Sequence, residues 1–422
     1  MVFASLVKGP ALIIDDALNP ESPDRDDPIY QIEAQFRSKS IPIIERYDIP
    51  EIDEMAHFSS ASFVVIDWEL LSIPKIEPDG DNTIEGIDII GIPPNLRQEK
   101  FKEIADFILN LQHHFFGPVF IFSNDDETFI TEKLRECWKE LGDEKIECLL
   151  KYIFIKQKAN LIENQLFQVI DEWLEKTPSV YTILFWNMIL KQSVNELSWH
   201  LFSLNPSWPV IFYNTYQLDS SDPGIELGNL LSRNLFSRMG EKFAFNPEYF
   251  KDEGPKQSPD HVNKVICGER YIPNKDLSKN FVAAGDLFIR DDDSKKFYLN
   301  LRPNCDCILR KENEKENETV DNVSLYLIHG NTISNREFKK SFVKKYHNFK
   351  EQHNYAIVPF IQNRNGKVVV VKFNFEDLKI IKFADLKEQR IGRILPPHIT
   401  HVRQKYASYI QREGLMPIPF FP

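Results

Sequence analysis

Short apolar runs alternate with amphipathic stretches through the first 177 residues. "ALII" at 11–14 stops on Asp15 and Asp16, and four more runs follow: "IPIIERYDI" (41–49), "SFVVID" (62–67), "PVFIFS" (118–123) and "KYIFIKQ" (151–157). Apolar runs of this length, bounded by turn formers, read as buried strands. The spacing between them is helical. One such segment covers 28–38, and a shorter one at 50–58 begins on Pro50. In "KFKEIADFILNLQHHF" Phe101, Ile104, Ile108 and Leu111 share a face, and "ETFITEKLRECWKEL" reads as a further helix. After the fifth run, Ile162, Leu166, Ile170 and Trp173 line another helical face. Strands alternating with helices predict a five-stranded parallel sheet covered on both faces.

The pattern then changes twice. Residues 178–254 read as a helical middle region holding Trp186, Trp199 and Trp208. Its most apolar part, "VYTILFWNMIL" at 180–190, is shorter than the roughly 20 residues a bilayer span needs and reads as a buried helix. Residues 255–385 read as a β-rich (α+β) C-terminal domain. Two strands flank an acidic turn in 286–301, and Asn365-Gly366 inside 356–375 is a strong hairpin signal. The charged loop "RKENEKENET" and a helix near 335–348 interrupt this domain. Residues 386–422 supply a last helix, ended by Gly414, and the apolar tail "LMPIPFFP".

Composition narrows the function classes. Hydrophobic residues make up 42% and aromatics 12% of 422 residues, enough for packed cores. The balance of 51 basic and 63 acidic residues gives a net charge of −12, which argues against broad nucleic-acid or anionic-membrane binding. The basic run "REFKKSFVKKYHNFK" fits an amphipathic helix, because Phe338, Phe342, Tyr346 and Phe349 recur at helical spacing. Five cysteines form no disulfide framework, and the N-terminus has no secretory pattern, so a cytoplasmic protein is expected. Cys305 and Cys307, with Cys267 and His261 upstream, lack the second tight cysteine pair of a zinc site and read as core residues.

The chemistry gathers at the strand ends. Strand one stops at Asp15 and Asp16, strand three at Asp67, strand four at Ser123 and strand five at Lys156. In a parallel sheet these ends share one edge, where ligands bind. Two or three carboxylates there suit Mg²⁺, and a hydroxyl with an ammonium suits phosphoryl oxygens. Singly, a strand-end aspartate is more often a turn or cap residue, and a lone lysine a solvated side chain.

Taken in order, Asp-Asp, Asp, Ser and Lys resemble the receiver domain of bacterial response regulators over residues 8–176. That resemblance implies a flavodoxin-like fold with Asp67 as phosphoacceptor and Asp15, Asp16 and Asp67 as metal ligands, Glu69 lending a backbone carbonyl. Ser123 matches the hydroxyl that senses phosphorylation, and Lys156 the lysine that pairs with the phosphoryl group. Gln157 stands where the family has a proline, Ile153 where it has an aromatic switch, and a Pro- and Gly-rich insertion at 72–95 follows Asp67. The implied partners are a histidine kinase or a kinase-like ATPase and an effector protein, as in unusual receiver proteins of anti-phage operons. Two further readings stay open: an inert receiver-like scaffold that binds a partner, and a phosphohydrolase using Asp67.

Overall fold

The computed structural model describes residues 2–70, 94–111, 113–114, 116–162, 165–218, 222–251, 258–289, 296–307, 319–334, 336–338 and 354–411. Most of the insertion at 72–95, the acidic turn at 291–293, nearly all of the charged loop, most of the helix expected near 335–348 and the apolar tail lie outside the described residues. The chain forms two compact units, 1–204 with 232–253, and 205–231 with 254–422.

In the first unit, helix α1 (Phe3–Leu6) precedes β1 (Ala11–Ile14), α2 (Ile29–Ser38) and β2 (Ile43–Arg46). A 3₁₀ segment, Ile52–Phe58, leads to β3 (Phe63–Ile66). Then come α3 (Pro94–Leu111), β4 (Val119–Ser123), α4 (Glu127–Cys137), α5 (Asp143–Tyr152), β5 (Ile153–Gln157) and α6 (Leu166–Glu175). The strands pair in parallel in the order β2-β1-β3-β4-β5, the flavodoxin-like arrangement.

Alternation along each strand builds two separate cores, since successive side chains point to opposite faces. Ala11, Ile13, Phe63, Val65, Phe120 and Phe122 face one way, against Phe3, Ile32, Phe36 and Ile170. Leu12, Ile14, Val64, Ile66, Val119 and Ile121 face the other, against Ile104, Ile108, Ile130 and Leu134. The first core is rich in aromatic rings: the Phe63 ring lies 5.2 Å from Phe3 and 5.3 Å from Phe120. Every residue of β1, β3 and β4 is buried, which is why these strands read as unbroken apolar runs.

The middle region is helical: α7 (Pro178–Leu204), α8 (Trp208–Leu218) and α9 (Pro223–Gly240). Helix α7 begins in the first core through Val180, Tyr181 and Leu184. Among the described residues no helix is long and apolar enough to cross a membrane.

The second unit is built on a seven-stranded antiparallel sheet, preceded by α10 (Pro259–Arg270). Its strands are β6 (Tyr271–Pro273), β7 (Asp286–Ile289), β8 (Lys296–Asn300), β9 (Ser324–Ile333), β10 (Tyr355–Gln362), β11 (Val368–Lys382) and β12 (Arg390–Ile394). They lie in the order β10-β11-β9-β8-β7-β12-β6, so the sheet continues past residue 385. The Asn365-Gly366 hairpin forms as expected, with Gly366 at φ +74° between β10 and β11. Short α11 (Asn304–Cys307) follows β8, and α12 (His398–Ile410) covers the sheet through Ile399, Val402 and Tyr406. Asp286, fully buried, is held by Arg393 at 2.6 Å and Arg390 at 3.6 Å.

Candidate functional site

Strand register brings the acidic residues together. Ile14 of β1 lies opposite Ile66 of β3, so Asp15 and Asp67 leave the sheet at the same level. Asp15 caps the 3₁₀ turn Asp16–Leu18, its Oδ1 accepting from Ala17 N at 3.0 Å, and this turn sets Asp16 beside it. Carboxylate oxygens of Asp15, Asp16 and Asp67 all lie within 4.8 Å of one another. Asp15 is 1% and Asp67 4% exposed. Asp67 Oδ1 accepts from Glu69 N at 3.1 Å.

The lysine at these aspartates is Lys158, not Lys156. Its Nζ lies 2.8 Å from Asp67 Oδ2, 2.8 Å from Asp15 Oδ2 and 3.0 Å from Asp27 Oδ1. Lys158 is fully buried and opens the 3₁₀ turn Lys158–Leu161 that carries the chain away from β5. Lys156 sits one step inside the end of β5, opposite Phe122, and donates to the half-exposed Glu127 carboxylate at 2.8 and 2.9 Å. An edge strand leaves part of its length in solvent, and Lys156 occupies that wet part. Asp27, one residue before Pro28 at the start of α2, also accepts from Ile29 N at 2.8 Å.

The electrostatics follow from burial and crowding. Burial, and then the neighbouring Asp67, push the Asp15 carboxyl up to about 8 against the pull of Lys158. Burial opposes the charge on Lys158, but Asp67, Asp15 and Asp27 outweigh it and hold the ammonium protonated, its pKa above the usual range. Three carboxylates therefore crowd one ammonium, with Asp16 beside two of them, an arrangement that favours a proton or a cation. Asp15 Oδ2 meets Lys158 outside hydrogen-bond geometry, so this buried oxygen carries no hydrogen bond. A buried acceptor without a hydrogen bond, within a set of hard carboxylate oxygens, fits a divalent cation such as Mg²⁺.

The other expected residues take distinct places. Ser123 ends β4, fully buried, and its Oγ accepts from Asp125 N at 3.3 Å. The Glu69 side chain turns to Arg97 on α3, whose Nη2 donates to Glu69 Oε1 at 2.5 Å and to Asp125 Oδ2 at 3.1 Å. Burial, then Asp125, raise the Glu69 carboxyl above its ordinary value, against the effect of Arg97. Trp68, fully buried between the two acids in sequence, stacks on Phe101 at 5.0 Å. Sequence reasoning missed Lys158, Asp27 and Arg97. No local signal marks Lys158, which turns inward only because the chain leaves β5 in a 3₁₀ turn.

Elsewhere, Cys305 is exposed and Cys307 buried, with burial pushing the Cys307 thiol up to about 11. Among the described residues the aspartate triad is the one group of three or more metal-type side chains close enough to share an ion. Neither the family models, nor the curated proteins, nor the solved structures gave a match to this chain. The 2-1-3-4-5 sheet with Asp15, Asp16 and Asp67 at its edge is consistent with the receiver fold.

Proposed function

We propose that the first unit is a receiver that accepts a phosphoryl group on Asp67 and signals through protein contacts. The observation that supports this most is the buried Asp67 carboxylate, set against Lys158 at 2.8 Å and clustered with Asp15 and Asp16. In the transfer, a carboxylate oxygen of Asp67 forms the new O–P bond. The bond from phosphorus to the donor, a phosphohistidine of a kinase or a small acyl phosphate, breaks, and the donor group leaves with its electron pair. Asp15, Asp16 and Asp67, with the Glu69 carbonyl, would hold Mg²⁺, which supplies charge neutralisation between carboxylate and phosphoryl oxygens. Lys158 keeps its proton and pairs with the phosphoryl oxygens. The Ser123 hydroxyl stands on the neighbouring strand end as a further donor. Water attack on the acyl phosphate returns the carboxylate and releases inorganic phosphate.

A histidine kinase or kinase-like ATPase would be the donor, and the middle and C-terminal regions would carry the output to an effector. The test is incubation of the full chain with Mg²⁺ and acetyl phosphate, read by intact mass. One added phosphoryl mass is expected, lost in Asp67→Asn. No adduct, together with no thermal stabilisation by beryllofluoride, would leave the inert scaffold. Rapid turnover of a phosphomonoester would make the protein a phosphohydrolase.

A further inference from the structure

We infer that Arg97 is a phosphoryl-positioning residue, a second cation that leaves its carboxylate partners for the group added to Asp67. The inference rests on the receiver reading above. Arg97 lies outside the four strand ends, on α3, yet it ties together the two loops that flank the acceptor. Its Nη2 bridges Glu69, two residues beyond Asp67, and Asp125, two residues beyond Ser123. Each loop is in turn tied to a reacting or sensing side chain: Glu69 N donates to Asp67 Oδ1, and Asp125 N donates to Ser123 Oγ.

The guanidinium has both the means and the freedom to exchange partners. It lies over Phe101 at 5.5 Å and Phe129 at 5.9 Å, so its plane is steered by two rings rather than by a single hydrogen bond. Its Nε is buried with no hydrogen-bond partner, a donor left idle while Nη2 holds the two carboxylates. Its two ion pairs involve partly exposed side chains, at 38% for Arg97, 31% for Glu69 and 22% for Asp125. A dianionic phosphoryl group offers a guanidinium two parallel hydrogen bonds, which single oxygens of two separate carboxylates do not. When Arg97 moves, the Glu69–Asp125 link is lost and the β4–α4 loop is released.

The test is titration of the full chain with beryllofluoride in saturating Mg²⁺, followed by tryptophan emission and by thermal shift. Arg97→Ala is expected to weaken binding about tenfold or more, the usual consequence of losing a charge-assisted pair, with Arg97→Lys in between. Asp125→Asn is expected to tighten binding, because it frees Arg97. The pair Arg97→Gln with Asp125→Asn keeps the local charge and is expected to stay weak. A bridge that only braces the loops predicts instead that Arg97→Ala and Asp125→Asn weaken binding alike, and that result would overturn the inference. So would wild-type affinity in the charge-neutral pair, which would reduce Arg97 to a long-range field. If the wild type itself binds no beryllofluoride, the receiver reading fails and this inference with it; if the wild type binds and Arg97→Ala binds equally, only the inference fails.

Discussion

Two lysines stand two residues apart, and their replacement by methionine separates the site from the surface. Lys158 is fully buried and lies within 3.0 Å of Asp15, Asp27 and Asp67. Lys158→Met keeps an unbranched side chain, one atom shorter, but leaves three carboxylates facing one another without a cation. Removing one partner of a buried ionic cluster destabilises by about 3–5 kcal/mol. For the first unit, whose 204 and 22 residues make 226, that corresponds to a Tm lower by about 6–20 °C. Lys156 meets a single carboxylate, Glu127, with exposures of 29% and 38%. After allowance for solvent screening, Lys156→Met is worth about 0–1 kcal/mol, at most a few degrees.

Differential scanning fluorimetry or calorimetry at pH 5 and pH 8, with and without Mg²⁺, measures both. The sign with pH follows from Asp15. Its folded pKa lies above the ordinary value, so the folded state keeps its proton best at low pH and loses that stability as pH rises toward 8. Without Lys158 the carboxyl titrates still higher, so the deficit of Lys158→Met is smallest at pH 5 and largest at pH 8. Mg²⁺ held by Asp15, Asp16 and Asp67 would compensate two of these carboxylates, stabilising by about 2.7 kcal/mol at one hundred times its Kd, and at a given concentration should recover more stability in Lys158→Met than in wild type. Equal destabilisation by the two substitutions, or a larger one by Lys156→Met, would refute the assignment of the inward lysine.

Two other substitutions probe the framework. Glu33 in α2 is buried, with Oε1 lacking a hydrogen bond, and burial followed by Glu45 raises its carboxyl to about 7. Its raised folded pKa makes the native state strongest below about 4.5 and weaker as pH climbs through 7. Glu33→Gln should therefore gain about 1–3 kcal/mol at pH 8 and little at pH 5 in denaturant melts; the same gain at both values would rule this out. In the second unit, a Cβ at Gly392 in β12 would lie 2.3 Å from the Tyr271 ring and 2.4 Å from Ile272 O. Gly392→Ala should cost about 1–3 kcal/mol, visible as earlier cleavage of the β-rich unit in pulse proteolysis; unchanged resistance would show that the strand can shift.

Much of the fold was legible because parallel strands buried on both faces leave continuous apolar runs. "ALII", "FVVI" and "VFIFS" all became strands with every residue buried. Helix α5 was not read, since its charged sequence carries only Ile146 and Leu149 into the core and Gly142 breaks the pattern before it. The aspartates were legible for the same reason as the strands: Asp15 and Asp67 directly follow apolar runs that register sets side by side, and Asp16 comes next in sequence. Lys158 was not, because the apolar run stops at Ile155 while the chain stays extended to Gln157 before turning inward. Asp27 reaches Lys158 across 131 residues and Arg97 reaches Glu69 across 28. Such contacts depend on tertiary packing, and no local pattern announces them.

The site holds two ionic layers of different strength, and that difference bears on how a signal could leave it. In the inner layer Lys158, Asp15 and Asp67 are at most 5% exposed, so breaking it leaves uncompensated buried charge. Such a layer is suited to hold a charged adduct in place and unsuited to move. In the outer layer Arg97, Glu69 and Asp125 are 22–38% exposed, where each pair contributes on the order of 1 kcal/mol or less. On the proposed reading, a dianion added to Asp67 would need to outcompete only that much to capture Arg97, whereas capturing Lys158 outright would mean surrendering several times more. A population shift requires differential affinity larger than the contacts given up. On that reading the outer layer would meet the condition with one arginine, and the loop it would release carries Asp125 and begins α4.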